Sequence, residues 1–274
     1  MAQILGNIYK KAKGAAAGAV ELFINNVKQT QYKKCELNTP TEMSAFVYKS
    51  TLPYQMRYGA AVVYNNQIHI MGSNITGNTQ KHYKWNGSYW SSVSTIPYNF
   101  RLGSAVVYNN QIHILGGGSY GTAHYKWNGS SWSSVSTLPY DFSYGSAVVY
   151  NNEIHILGGS GSSNATKHYK WNGSSWSSVS NLPYNFSYGS SVVYNNEIHI
   201  LGSESTGRST NHYKWNGSSW SSVSTLPYDF YAGNAVVYNN EIDILGGDAY
   251  GTDRSKNHYY FKKDEDGIYT AVLT

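Results

Sequence analysis

At 274 residues the chain is long enough for one large all-β domain, and its 27 glycines, 27 tyrosines and 15% aromatic content suit short strands and turns. Only 13% of the residues are charged, a composition that excludes a disordered chain and a coiled coil. Residues 1–50 hold seven Lys and three Glu, whereas residues 51–274 hold 13 basic and 12 acidic groups, so most of the net charge of +5 lies in the first 50 residues. The nearly neutral main part argues against a protein that binds nucleic-acid phosphates.

Cysteine content and hydropathy indicate whether the chain forms disulfides, spans a membrane or carries a secretory signal. Cys35 is the single cysteine, so no intramolecular disulfide can form. No apolar run reaches the roughly 20 residues that span a bilayer. Lys10, Lys11 and Lys13 precede an apolar stretch at residues 15–24 in the manner of a secretory signal, but Glu21 interrupts that stretch and no convincing cleavage site follows. We therefore predict a chain made in the cytoplasm without a signal peptide or a membrane span.

The first 49 residues precede the regular part of the chain. Residues 1–16 are basic and rich in small side chains, which predicts a tail or an anchor. Residues 20–26 resemble a degraded copy of a strand and turn that recur later, and residues 32–37 and 46–48 are candidates for a third and a fourth strand. We interpret residues 17–49 as a degenerate repeat, with an N-terminal hairpin appendage as the alternative.

From residue 50 onward one pattern recurs five times. In its third copy Val148-Val149-Tyr150 predicts a strand, Asn151-Asn152 a two-residue hairpin turn, and Ile154-His155-Ile156-Leu157 the returning strand. A variable loop, a His-Tyr-Lys-Trp strand, an Asn-Gly turn and a Trp-Ser-Ser-Val-Ser strand complete the unit. The Asn-Gly-Ser triplets also match the glycosylation acceptor pattern, but hairpin turns explain them better. Leu-Pro or Ile-Pro dipeptides separate the units, which cover about residues 50–95, 96–137, 138–181, 182–225 and 226–274. The chain is thus a repeat array with four antiparallel strands in each unit.

A glycine pair after the second strand, then Tyr and Trp at fixed offsets, resembles the kelch repeat, as in Gly116-Gly117 with Tyr125 and Trp132. Two units depart from it, because Gly72-Ser73 and Gly202-Ser203 lack the second glycine. The resemblance implies an all-β kelch-type β-propeller in which each repeat is a four-stranded antiparallel blade. Five clear repeats and the degenerate segment at residues 17–49 favour six blades, and five blades are the alternative.

Blade topology places the loops on two faces. The turns after the first and third strands share one face and are uniform, whereas the loops after the second strand and the linkers between units share the other face. Those loops differ between units, as recognition loops do, although unconstrained loops would also drift. The aromatic residues of the linkers are expected to pack between blades. The candidate binding residues on the variable face are Asn74, Thr76, Asn78, Arg101, Tyr120, Asn164, Glu204, Arg208, Asp248, Tyr250, Asp253 and Arg254.

No catalytic, metal or cofactor site is predicted. The histidines recur once per unit in the second and third strands, which favours structural hydrogen bonds over a metal site, because ligands converge from unlike positions. Glu153 is replaced by Gln67 and Gln111 in other units, so this position is not an essential acid. Among kelch-family enzymes, the resemblance to copper-dependent galactose oxidases fails because Cys35 lies outside the clear units. A sialic acid mutarotase-like enzyme stays open as an alternative.

The sequence therefore predicts a non-enzymatic binding or assembly module that displays its variable face to a glycan or a protein surface. The near-verbatim repeats and the basic N-terminus loosely resemble bacterial or prophage-encoded kelch proteins. That resemblance implies a virion-associated, receptor-binding or structural component, docked onto a phage particle through residues 1–31. An intracellular scaffold for protein partners is the third hypothesis. No nucleic-acid partner is expected.

Overall fold

The computed structural model describes residues 49–161, 163–203, 210–247, 258–263 and 269–273, together with residues 23–24 and 27–28. The chain divides into two compact units, Met1–Lys49 and Ser50–Thr274. In the first unit, β1 (Phe23–Ile24) pairs antiparallel with β2 (Val27–Lys28). The predicted tail at residues 1–16, the other candidate strands of residues 17–49 and most of the docking segment at residues 1–31 lie outside the described residues.

The second unit is a β-propeller of five four-stranded antiparallel blades. Blade 1 contains β3 (Ala60–Tyr64), β4 (Gln67–Met71), β5 (His82–Trp85) and β6 (Trp90–Ser92). Blade 2 contains β7 (Ser104–Tyr108), β8 (Gln111–Leu115), β9 (His124–Trp127) and β10 (Trp132–Ser134), with a 3-10 turn at Gly118–Tyr120. Blade 3 contains β11 (Ser146–Tyr150), β12 (Glu153–Leu157), β13 (His168–Trp171) and β14 (Trp176–Ser178). Blade 4 contains β15 (Ser190–Tyr194), β16 (Glu197–Leu201), β17 (His212–Trp215) and β18 (Trp220–Ser222), and blade 5 contains β19 (Asn234–Tyr238), β20 (Glu241–Leu245), β21 (His258–Lys263) and β22 (Tyr269–Leu273).

The all-β propeller predicted from the repeats is confirmed, and its five blades match the alternative blade number rather than the favoured six. The sixth blade was expected from residues 17–49, of which only β1 and β2 are described. Within the described part of the chain, no helix has the length and apolar character needed to cross a membrane.

The Asn-Asn turns form hairpins as predicted. Asn151 and Asn152 have φ of 47° and 59°, and Tyr150 pairs with Glu153 across the turn. Two consecutive positive φ values are required by the two-residue turn whose twist matches that of paired strands, and Asn tolerates them better than most residues. The same geometry recurs at the corresponding Asn pair of every blade.

The hydrophobic core lies between blades. At the junction of blades 2 and 3, blade 2 contributes Val106, Tyr108 and Leu115. Blade 3 contributes the opposing Ile154, Ile156 and Trp171. The linker inserts Leu138, Tyr140 and Phe142 between them. Full burial of such side chains contributes about 1.5–3 kcal/mol each, so these junctions supply most of the stability. The predicted packing role of the linker aromatics is confirmed at these positions.

Candidate binding site on the linker face

The loops that follow the second strands lie against the linkers between blades. The Asn74 amide donates to the Arg57 carbonyl at 2.8 Å, and the Ser160 amide donates to the Ser143 carbonyl at 2.7 Å. The Asn164 side chain donates from Nδ2 to the Asp141 carbonyl at 3.2 Å. Loops and linkers therefore form one continuous surface, which we call the linker face.

Six of the candidate binding residues are described, and the side chains of two of them support their own blade. Asn78 donates from Nδ2 to the Gln55 carbonyl at 3.3 Å, as Asn164 does to its own linker, so both side chains hold loops in place. Arg101 is half-buried beside Gly118, where an added Cβ would lie 3.0 Å from Arg101 Nε. Thr76 is exposed. Tyr120 is also exposed, with its ring centroid 5.4 Å from that of Tyr98.

The six described residues are distributed over three blades instead of forming one cluster. The other six candidates lie outside the described residues: Glu204, Arg208, Asp248, Tyr250, Asp253 and Arg254.

A more concentrated site lies at the inner end of the linkers. One residue per linker takes part in a ladder of four backbone hydrogen bonds, in which the amides of the second to fifth residues each donate to the carbonyl of the preceding one at 2.8–2.9 Å. We call these the rim residues: Tyr58, Leu102, Tyr144, Tyr188 and Ala232. They come two residues before the first strands, which neighbour one another from blade to blade. The rim residues therefore line the inner edge of the successive blades on the linker face.

All five rim residues have left-handed backbone conformations. Their φ values are 56°, 62°, 61°, 56° and 53° in chain order. For a bulky side chain this region costs about 1–2 kcal/mol, and glycine would occupy it without that cost. All five rim residues keep this strained conformation, and three of them are tyrosines, which indicates a functional role for the tyrosine side chains.

Two rim tyrosines, Tyr144 and Tyr188, lie against each other and against Tyr231, which precedes the rim residue Ala232. The ring centroids of Tyr144 and Tyr188 are 4.1 Å apart with an interplanar angle of 32°, and those of Tyr188 and Tyr231 are 5.2 Å apart. We call Tyr144, Tyr188 and Tyr231 the tyrosine arc, which extends over blades 3 to 5. At blade 1 the Arg57 guanidinium carbon lies 5.1 Å from the centroid of the Tyr58 ring, within cation–π distance.

Sequence analysis did not single out the tyrosine arc. The signal available was a position that changes among Tyr, Leu and Ala inside repeats that are otherwise nearly identical. That variation could not be separated from packing without knowledge of the positive φ and of the contacts between successive blades.

Buried pairs account for the recurring histidines. Nδ1 of the second-strand histidine and Nε2 of the third-strand histidine are 2.7–2.8 Å apart in the first four blades, in the pairs His69–His82, His113–His124, His155–His168 and His199–His212. In blade 5, Nε2 of His258 lies 2.6 Å from Oδ1 of Asp243. The predicted structural role of these histidines within blades is confirmed.

Burial of these imidazoles disfavours their charged form. It lowers the pKa of His113 and His155 to about 4, and that of His124 and His168 to about 3. The ring of His124 also contacts Trp171 of the next blade, with centroids 5.5 Å apart. Among the residues that the structure describes, no three His, Cys, Asp or Glu side chains converge in a way that could hold a metal ion.

The chain matches no protein-family model and no curated protein sequence. The five sheets themselves establish the β-propeller, a fold that suits a binding or scaffold module in general.

Proposed function

We propose that this protein is a non-enzymatic binding module that recognises a glycan through the tyrosine arc on its linker face. The observation that carries the proposal is that Tyr144 and Tyr188 are retained in a strained backbone conformation, with their rings adjacent to each other and to that of Tyr231. Strained positions cluster at ligand sites, where the surrounding structure holds them in place.

The chemistry of the arc suits a sugar. Tyrosine rings present a rigid apolar face that can cover the C–H face of a pyranose, and ordering them costs little conformational entropy because only two χ angles are fixed. Ser143 and Ser187 precede the rim tyrosines of blades 3 and 4 and place hydroxyl groups beside the arc in sequence. Rings combined with small hydroxyl donors give the mixture of apolar area and orienting polar groups found in ligand sites.

Positions of the acid–base side chains favour binding over catalysis. The paired histidines are buried inside blades, away from the rim. Glu153 and Glu197 accept hydrogen bonds from Lys170 and Lys214, each at 3.0 Å, which gives these recurring acids a structural role. We therefore propose recognition without a chemical step, rather than a sugar-active enzyme.

The proposal extends to the biological setting that the kelch-like repeats imply. In that setting the propeller is a virion-associated component that residues 1–31 attach to a phage particle. Copurification with particles from the encoding organism, compared for the full chain and a chain without residues 1–31, tests this part separately.

The binding proposal is tested by screening the full chain on a glycan array and titrating the best ligand by calorimetry. Tyr188→Ala removes the central ring of the arc, and we expect affinity to fall about tenfold or more, equivalent to about 1.4 kcal/mol. Tyr89→Ala is the matched control, because Tyr89 is an exposed tyrosine at the turn between β5 and β6 on the opposite face. Equal affinities for wild type and Tyr188→Ala would refute the assignment of the site.

A further inference from the structure

The terminal blades each expose apolar side chains whose counterparts are buried in the internal junctions. On blade 5, the Val, Tyr and Leu side chains that face a following blade are exposed: Tyr238 is 66% accessible and Leu245 is 38%, whereas Tyr150 and Leu157 at the equivalent positions of blade 3 are 4% and 0% accessible. Val236 belongs to the same exposed set. We call Val236, Tyr238 and Leu245 the valine–tyrosine face.

Blade 1 exposes part of the complementary surface: Ile70 and Trp85 on that face are buried, at 4% and 8% accessibility, and Ile68 is not. Ile68 is 43% accessible, whereas Ile154 at the same position of blade 3 is fully buried. Val63 in the neighbouring strand and Leu52 in the preceding linker are exposed as well. We call Leu52, Val63 and Ile68 the isoleucine face. These two faces are the halves of one junction that the chain builds four times internally, and neither contains a charged residue.

The repeat sequence indicates what can cover the valine–tyrosine face. In every internal junction its partner is a pair of isoleucines from a second strand, as Ile154 and Ile156 are for blade 2. Alignment of Asn25-Asn26 with the later Asn-Asn turns places Lys28 and Thr30 at those positions, so residues 17–49 do not encode this pair. The isoleucine face of blade 1 is the remaining match in the sequence.

We propose that the isoleucine face of one chain packs against the valine–tyrosine face of a second copy, continuing the internal junction between molecules. Such a contact is head-to-tail, because each chain contributes a different face and keeps its other face available. Repeat arrays with apolar ends associate in this way unless a polar repeat caps them. Association is therefore expected to proceed beyond dimers as concentration rises.

Two substitutions on opposite faces test the contact in the full chain. Ile68→Asp blocks one face and Tyr238→Asp blocks the other, and each is expected to weaken association about a hundredfold or more, as a charge in a buried interface core does. Light scattering should give the monomer mass of 30.4 kDa for each variant alone. Mixed in equal amounts, the variants should form a one-to-one dimer and nothing larger, because one intact pair of faces remains.

Circular dichroism and the melting temperature report whether the variants fold, and both should match the wild type because the substituted side chains are exposed. Ile112→Asp is the internal control, since Ile112 is the fully buried counterpart of Ile68, and we expect it to unfold the protein. A wild-type chain that stays monomeric at all concentrations would overturn the proposal and show that the faces are covered within one chain. Association that survives both substitutions, or a mixture that stays monomeric, would overturn it equally.

Discussion

Acid should unfold this propeller cooperatively at mildly acidic pH. Burial lowers the pKa of seven histidines to about 3 or 4 in the folded chain: His69, His82, His113, His124, His155, His168 and His212. In the unfolded chain each has a pKa near 6.5. As pH falls below about 6.5, the unfolded chain binds protons that the folded chain does not, so the free energy of unfolding decreases until the folded pKa is reached.

The size of the effect follows from the number of groups. Between pH 7 and pH 5.5, one such histidine lowers the free energy of unfolding by roughly 1 kcal/mol. Seven such groups together give on the order of 7 kcal/mol, which is comparable with the total stability of about 5–15 kcal/mol of a typical domain. We therefore expect the midpoint of acid unfolding to lie at about pH 5 to 6 and the transition to take up about five or more protons.

Tryptophan fluorescence and circular dichroism during an acid titration measure both quantities. Blade 5 provides the precedent for a substitution that removes one of these histidines, because Asp243 there replaces the second-strand histidine and pairs with His258. His113→Asp introduces the same arrangement beside His124 and should move the midpoint to lower pH. A propeller that stays folded at pH 4, or a transition that takes up only one or two protons, would refute the reasoning.

Backbone geometry gives two further predictions, both measured by denaturant unfolding. Ala232→Gly should stabilise the protein by about 0.5 kcal/mol, because relief of the strain at φ 53° exceeds the entropy cost of glycine. The control Ala105→Gly in β7 should instead destabilise it by about 0.5–1 kcal/mol. Equal effects of the two substitutions would contradict the assigned strain. Gly158→Ala should cost about 3 kcal/mol or more, because its Cβ would meet the Phe186 carbonyl oxygen at 2.0 Å. Gly161→Ala is the control, with a positive φ but no atom within 4 Å, and should cost about 1 kcal/mol; a similar loss in both would show that the close approach does not matter.

Local patterns were sufficient to predict the blades. Asn151-Asn152 between two β-branched runs specifies a hairpin by itself, and repetition of that hairpin at nearly constant spacing specifies the array. The linker aromatics Tyr140 and Phe142 could be assigned to the core because their alternation recurs in four of the five units.

The binding surface could not be predicted in the same way. Asn78 and Asn164 lie in variable loops, yet each donates a hydrogen bond to its own linker, so variation there partly reflects local fit. Tyr144 and Tyr188 are 44 residues apart and become neighbours only because consecutive linkers meet at the rim. Contacts of that kind depend on how blades are placed around the propeller, which no local pattern encodes.

Glycan binding by a variant that lacks two of the three rings of the tyrosine arc but keeps its backbone tests the central claim most directly. Glycine suits the positive φ of Tyr144 and Tyr188, so a Tyr144→Gly, Tyr188→Gly double variant should fold with a melting temperature close to that of the wild type. On one glycan array, the account predicts that the wild type binds a defined class of glycans and that the folded double variant binds none of them. A wild type that binds no glycan, or a double variant that binds the same glycans equally well, would contradict it.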